Sequence, residues 1–193
     1  MYILNLPNIK TTSWKDEFFP FFIHNAIKYL KPDLCVELGT YAGYSAYCIG
    51  TALVENMKGH LECYDLWEKY PFNHTTKEEA TYNLLGLPIE LRLQDATLAY
   101  ENYDNNSVDF LMVDISNDGK VYKDTLMNWY DKLTSKASVF LEGGSEERDE
   151  VEWMKKYNKI PIRKTVKDKD LMDSYTFVNV GGFPSLTIAQ KKL

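Results

Sequence analysis

The chain lacks the makings of a disulfide framework. Its 193 residues hold three cysteines, Cys35, Cys48 and Cys63, an odd number set inside apolar segments. Thiols placed that way read as reduced core residues in a cytoplasmic setting rather than as cross-links of a secreted protein. No apolar run approaches the roughly 20 residues needed to span a bilayer. The opening MYILNLPNIK is short and proline-interrupted, unlike a signal peptide. Neither membrane insertion nor export is expected. Basic tracts are also missing: no run of Lys or Arg exceeds two residues, and 22 basic residues face 28 acidic ones, a net charge of −6. That balance disfavours nucleic acid as a partner, because phosphate backbones are held by clustered positive charge. There is no internal repeat, low-complexity tract or linker, so one domain over residues 1–193 is expected.

What is present alternates between strand and helix patterns. Residues 13 to 30 form an aromatic amphipathic segment, with Phe18, Phe22, Ala26 and Leu30 interleaved with Phe19, Ile23 and Ile27 on one face. Pro20 belongs in a first turn, so the helix starts close to it. Strands follow at 34–38, at HLECYD, at IELRLQD, at VDFLMVD (108–114) and at ASVFLE (137–142). The intervening helices carry Ala46, Ile49, Gly50, Leu53, Val54 and Met57 in one case, and Val121, Leu126, Trp129, Tyr130 and Leu133 in the other. Ser145 starts a helix that closes on Lys155 and Lys156, its charges matched to the helix dipole. YTFVNV and SLTIAQ, separated by Gly181-Gly182-Phe183-Pro184, form an antiparallel hairpin at the sheet edge. The order predicts an α/β fold: a Rossmann-like, doubly wound, mostly parallel seven-stranded sheet, with residues 1–33 as an arm and helix and 34–193 as the core.

The most informative stretch is LCVELGTYAGYSAY, residues 34 to 47. A strand ends in Glu37, a glycine turn follows, and a helix begins after Gly43. That device brings backbone N–H groups close to a ligand. The spacing is ExGxxxG rather than the dinucleotide-binding GxGxxG. Acids also end or follow the other strands: Asp65, Asp95, Asp114 and Glu142. In open α/β sheets the ligand sits at those strand ends, so the acids form a rim for a ligand carrying hydroxyls and an ammonium group.

With VELGTYAGYS, ECYD, LQDA, VDFLMVDIS and VFLEGG in that order, the chain resembles class I S-adenosylmethionine-dependent methyltransferases and is similar to the small O-methyltransferases. The resemblance covers about residues 20 to 190 and implies S-adenosyl-L-methionine as cofactor. It places Glu37, Gly39, Thr40, Tyr41, Gly43 and Ser45 around the methionine part of the cofactor. It also implies that Asp65 accepts the ribose hydroxyls, Leu66 and Trp67 lie by the adenine (or Trp67 packs under the loop), Asp95 and Ala96 meet the adenine amino group, and Asp114 lies near the ammonium and methyl.

Some relatives use a divalent cation held by the strand-four acid and an Asp-Asn pair after strand five. Here the equivalent ligands would be Asp114 and Glu142, with Gly143 in place of the second member, for Mg²⁺ or a similar ion. Where relatives carry a Lys or His base, this chain has Asn117, with Lys120 nearby as a substitute or as a plain helix-start lysine. The expected activity is methyl transfer to an oxygen of a small-molecule or glycan-type acceptor. The short region before the first strand implies a small lid or one supplied by a partner, and the exposed 68–78 loop and aromatic first helix serve equally as homodimer contacts. Two other readings are carried: a non-catalytic relative that binds cofactor or a partner protein, and a nicotinamide-dependent oxidoreductase, which the absence of GxGxxG disfavours.

Overall fold

The computed structural model describes residues 8–11, 18–182 and 184–192. They group into two units, Met1–Ala96 and Thr97–Leu193. Seven strands are present in a mostly parallel sheet, in the α/β arrangement the sequence predicts.

In the first unit, helix α1 (Phe18–Leu30) has Pro20 in its first turn, where the missing N–H removes no helical hydrogen bond. Its buried stripe is Phe19, Ile23 and Ile27, spaced by four. Phe18, expected on that face, is 53% exposed. A step of one residue rotates a helical side chain by about 100°, which carries Phe18 off the stripe. The expected start of this segment, residues 13–17, lies outside the described residues, as does the arm at 1–7. Strands β1 (Leu34–Leu38), β2 (His60–Asp65) and β3 (Ile89–Leu93) pair in parallel, in the order β3-β2-β1. Helix α2 (Tyr44–Asn56) connects the first two and buries Ala46, Ile49, Gly50 and Leu53. Gly50 lies so near β3 that a Cβ would stand 2.7 Å from Ile89 Cδ1. Val54 and Met57, expected in the same stripe, are exposed at 51% and 93%. They lie past the inward arc, where the helix stops with Met57 in a left-handed conformation. Helix α3 (Lys77–Asn83) is capped by the Thr76 hydroxyl.

The second unit has strand order β4-β5-β7-β6. Strands β4 (Val108–Val113) and β5 (Leu133–Glu142) are parallel, while β7 (Leu186–Lys191) runs antiparallel to both β5 and β6 (Tyr175–Val180). The hairpin is as expected, with Phe183 of its turn outside the described residues, but β7 lies inside β6, and of the two strands β6 is the one at the edge. Strand β5 begins four residues earlier than its sequence signal at Ala137. Leu133 pairs with Val108 ahead of a register shift, so it belongs to the sheet and not to helix α4 (Gly119–Trp129). Leu126 and Trp129 face inward on α4 as expected, joined by Tyr122 and Thr125, while Val121 and Tyr130, expected there too, are half-buried.

The single helix expected from Ser145 to Lys156 is two, α5 (Glu146–Asp149) and α6 (Glu152–Lys156). Ser145 caps the first as expected, accepting from Arg148 N. The break follows from tertiary bonds that outcompete a continuous helix. Asp149 accepts from the backbone N–H groups of Ile162 and Arg163 at 3.0 and 2.9 Å, and Arg148 turns inward to Glu142. Two further short helices, α7 (Ile162–Thr165) and α8 (Lys169–Ser174), carry no strong sequence signal.

Ile27 is fully buried in α1 and Phe18 is not. Replacing Ile27 with Ala should cost about 2–5 kcal/mol in denaturant unfolding, and Phe18→Ala below about 1. Equal losses would contradict the helix orientation.

Candidate functional site

The first unit builds its site from the turn after β1. Gly39, Tyr41 and Gly43 all have positive φ, at 86°, 51° and 95°. Gly43 caps α2 in this left-handed conformation, and a Cβ there would stand 2.9 Å from Leu84 Cδ1. Gly39 N–H donates to Tyr64 O at 2.9 Å, which ties the turn to β2. The tie is completed by Asp65 at the β2 tip. Its Oδ2 accepts from the N–H groups of Thr40 (3.0 Å) and Tyr41 (2.8 Å), and its Oδ1 from Trp67 N (2.8 Å) and Asn73 Nδ2 (3.2 Å). Trp67 is fully buried and donates its indole N–H to Tyr41 O at 2.8 Å. It therefore packs beneath the loop rather than presenting its ring to a ligand.

Beneath the turn lies Glu37, fully buried at the end of β1. Ser45 Oγ donates to its Oε1 at 2.6 Å. Its Oε2 and the neighbouring Thr40 Oγ1 are buried with no hydrogen-bond partner among the described residues. Burial pushes the carboxyl up to about 7, opposed by the Ser45 hydroxyl and, less, by the nearby Thr40 hydroxyl and Cys63 thiol. Buried polar atoms are ordinarily satisfied, so two such orphans side by side mark a place for a polar ligand group. A ligand ammonium fits there. Leu66 is half-buried beside Asp65, Asp95 is exposed just past β3, and Ala96 is buried. In β-sheet register Leu93 pairs with Asp65, which sets Asp95 at the same strand-end edge as the loop. The first unit thus gathers the sequence-predicted cofactor residues at the carboxyl ends of its strands.

In the second unit the predicted residues behave differently. Asp114 is half-buried at the end of β4. Asn117 is buried, its amide donating to Glu142 Oε2 and O while its carbonyl accepts from Arg148 Nη2. Glu142 is fully buried, and Arg148 grips both its oxygens, Nε to Oε1 at 2.9 Å and Nη2 to Oε2 at 3.2 Å. Tyr122 donates to Glu142 O at 2.9 Å.

This corrects two expectations. The Glu142 carboxylate is neutralised bidentately by a guanidinium, so the Asp114–Glu142 pair does not fit a divalent cation. No cluster of three or more metal-ligating side chains occurs among the described residues. Lys120 is exposed and bonded to Asp124 at 2.8 Å, which raises its pKa and keeps it protonated, so it is a surface helix-start lysine and no base. An amide held at both ends, as at Asn117, cannot take a proton either. The rim of acids is therefore incomplete: Glu37 and Glu142 are buried and Asp65 is engaged.

Sequence reasoning missed Arg148, Asn73 and Lys159. Arg148 follows its cap at SEER and reads as surface charge. Lys159 Nζ donates to Ser116 Oγ at 2.8 Å, across 43 positions, a contact that no local pattern signals.

With this geometry in view, comparison with known proteins decides the class. A family model described as a methyltransferase domain matches residues 36–142. The chain belongs to that methyltransferase family. A search of curated proteins finds no match. Solved structures share the methyltransferase's fold at low identity. A methyltransferase from Podospora anserina, bound to S-adenosylhomocysteine, has a TM-score of 0.72 at 15% identity, covering 93% of this chain and 80% of that one. A putative caffeoyl-CoA O-methyltransferase from Staphylococcus aureus gives 0.69 at 15%, with 95% and 86% covered. An O-methyltransferase from Bacillus cereus in complex with S-adenosylhomocysteine gives 0.63 at 16%, with 97% and 85% covered. Among the described residues no helix of the methyltransferase is long and apolar enough to cross a membrane.

Two predictions follow from the buried carboxylates of the methyltransferase. Glu37 holds its proton to about 7 when folded, against an ordinary value of 4.5. The native state then binds more protons than the unfolded state between those values, so stability falls as pH rises through that window, by on the order of 3 kcal/mol. Glu37→Gln should flatten this slope in denaturant titrations at pH 5 and 7.5, and an unchanged slope would assign it to other groups. Arg148→Met strands Glu142 and should cost about 3–5 kcal/mol. The double change Arg148→Met with Glu142→Leu should recover much of the loss, and purely additive losses would refute the coupling.

Proposed function

We propose that the chain is an S-adenosylmethionine-dependent methyltransferase that acts on an oxygen of a small-molecule acceptor. The observation that carries the cofactor reading is the pair of orphaned buried atoms, Glu37 Oε2 and Thr40 Oγ1, beneath a turn of left-handed residues. A cofactor ammonium would satisfy both. Asp65 would accept ribose hydroxyls in exchange for Asn73, whose contact is the longest of the four the carboxylate makes. Leu66, Asp95 and Ala96 would flank the adenine. The cofactor, when bound, supplies an already activated methyl group, so the chain's own task is binding, alignment and exclusion of water.

Methylation on oxygen is favoured by the likeness to the Staphylococcus aureus and Bacillus cereus proteins, both described as O-methyltransferases. The cysteines are free and buried, consistent with a cytoplasmic setting. Exposed Tyr70 and Phe72 in the 68–78 loop, with Phe18 and Tyr29 on α1, supply apolar surface for a second copy or for the ring of a glycan-type acceptor.

Calorimetry with S-adenosylhomocysteine tests the cofactor half. Binding should be detected at micromolar to millimolar ligand, should be lost or weakened by tenfold or more in Asp65→Ala, and should change little in Asn117→Ala. No heat with the wild-type protein, or equal losses in the two variants, would overturn the assignment.

A further inference from the structure

A carboxylate offers about four lone-pair sites, and four donors among the described residues fill those of Asp65 at the tip of β2. Three of the donors are main-chain N–H groups: Thr40 and Tyr41 on Oδ2 at 3.0 and 2.8 Å, and Trp67 on Oδ1 at 2.8 Å. Two of those three residues are held in left-handed backbone, with φ of 51° at Tyr41 and 41° at Trp67. Losing their bonds to Asp65 would release a strained conformation. The fourth donor is a side chain. Asn73 Nδ2 reaches Oδ1 at 3.2 Å from eight residues along the chain.

Asn73 sits in a strap whose feet are secured without it. At one foot Trp67 is buried, and its indole N–H donates to Tyr41 O at 2.8 Å. At the other Thr75 is buried, with its hydroxyl on Glu79 Oε2 at 2.9 Å. Glu68 Oε2 accepts from Lys77 N at 2.9 Å and closes the base across nine positions. Between the feet Asn73 is half-buried, and Phe72 and His74 on either side of it are exposed. Its side-chain carbonyl accepts from Thr75 N at 3.3 Å, while its main-chain N–H donates to Tyr70 O at 3.0 Å. Turning the amide out to water therefore leaves the main-chain bond and both feet intact. Of the four donors on Asp65, this is the one that leaves without backbone rearrangement.

We propose that Asn73 is an internal competitor of the cofactor, an autoinhibitory contact that lowers cofactor affinity because a ribose hydroxyl must displace its amide from Asp65. This rests on the cofactor reading above. With the three main-chain bonds kept, the position that Asn73 leaves is the one a hydroxyl takes. The displaced amide finds its hydrogen bonds in water. The cofactor then binds with the affinity of the open site, reduced by the fraction of molecules in which Asn73 is already off Asp65. A hydrogen bond of ordinary net strength lowers that affinity by about three- to tenfold.

Calorimetry on the full chain compares the wild type with Asn73→Ala, using S-adenosylhomocysteine, adenosine and 2′,3′-dideoxyadenosine. The variant should bind S-adenosylhomocysteine and adenosine about three- to tenfold more tightly than the wild type does. Dideoxyadenosine has no hydroxyl to exchange for the amide, so its affinity should rise by less than about twofold. Thr75→Val loosens the same strap without vacating Asp65 and should leave S-adenosylhomocysteine affinity within about twofold. Thermal melts check that both variants fold. Unchanged or weaker binding of S-adenosylhomocysteine in Asn73→Ala overturns the proposal. An equal gain with dideoxyadenosine, or in Thr75→Val, overturns it as well, because the effect then belongs to the strap and not to the exchange. Absence of S-adenosylhomocysteine binding to both the wild type and Asn73→Ala instead overturns the cofactor reading.

Discussion

The glycine turn after β1 depends on one carboxylate. Asp65 accepts four hydrogen bonds, two of them from consecutive backbone N–H groups of the glycine turn. A turn with three left-handed residues is intrinsically costly for the non-glycine among them, Tyr41. The charge-assisted bonds to Thr40 N and Tyr41 N hold the loop in that form. Trp67 then closes the space beneath it, through Tyr41 O. Once the loop is fixed, Glu37 is sealed beneath it, and that burial is what raises its pKa. Position and electrostatics are thus two results of a single anchor.

The second unit solves a different problem, burying charge. Glu142 and Arg148 neutralise one another, and Asn117 bridges them. The pairing uses up the carboxylate that a metal-binding relative would leave open. It also explains why α5 stops after four residues: both Arg148 and Asp149 are drawn into bonds outside the helix.

Much of this was legible in the sequence, for physical reasons. Strands β1, β2 and β6 were read to the residue, because apolar runs bounded by turn residues leave little freedom in their ends. The turn at 37–45 was legible because left-handed backbone favours glycine, and glycine spacing is visible in a string of letters; Tyr41, left-handed as well, gave no such sign. Faces of helices were less so. Phe18, Val54 and Met57 are apolar yet exposed, and composition alone does not separate a core residue from one beside it. Least legible was partner choice. Glu142 reads the same whether it will meet a metal or a guanidinium, and what decides is Arg148 six residues later, brought back by a broken helix. Lys159 gave no signal because its contact at Ser116 is 43 positions distant.

The placement of β7 between β5 and β6 has a consequence for how the chain comes off the ribosome. The pairings of β1 with β2 and of β2 with β3 need only residues already made by position 93. In the second unit β5 and β6 are both synthesised before the strand that joins them. Until residues 186–191 emerge, each offers an unpaired row of backbone donors and acceptors to whatever passes. The second half of this protein is therefore the part that most needs shielding during synthesis.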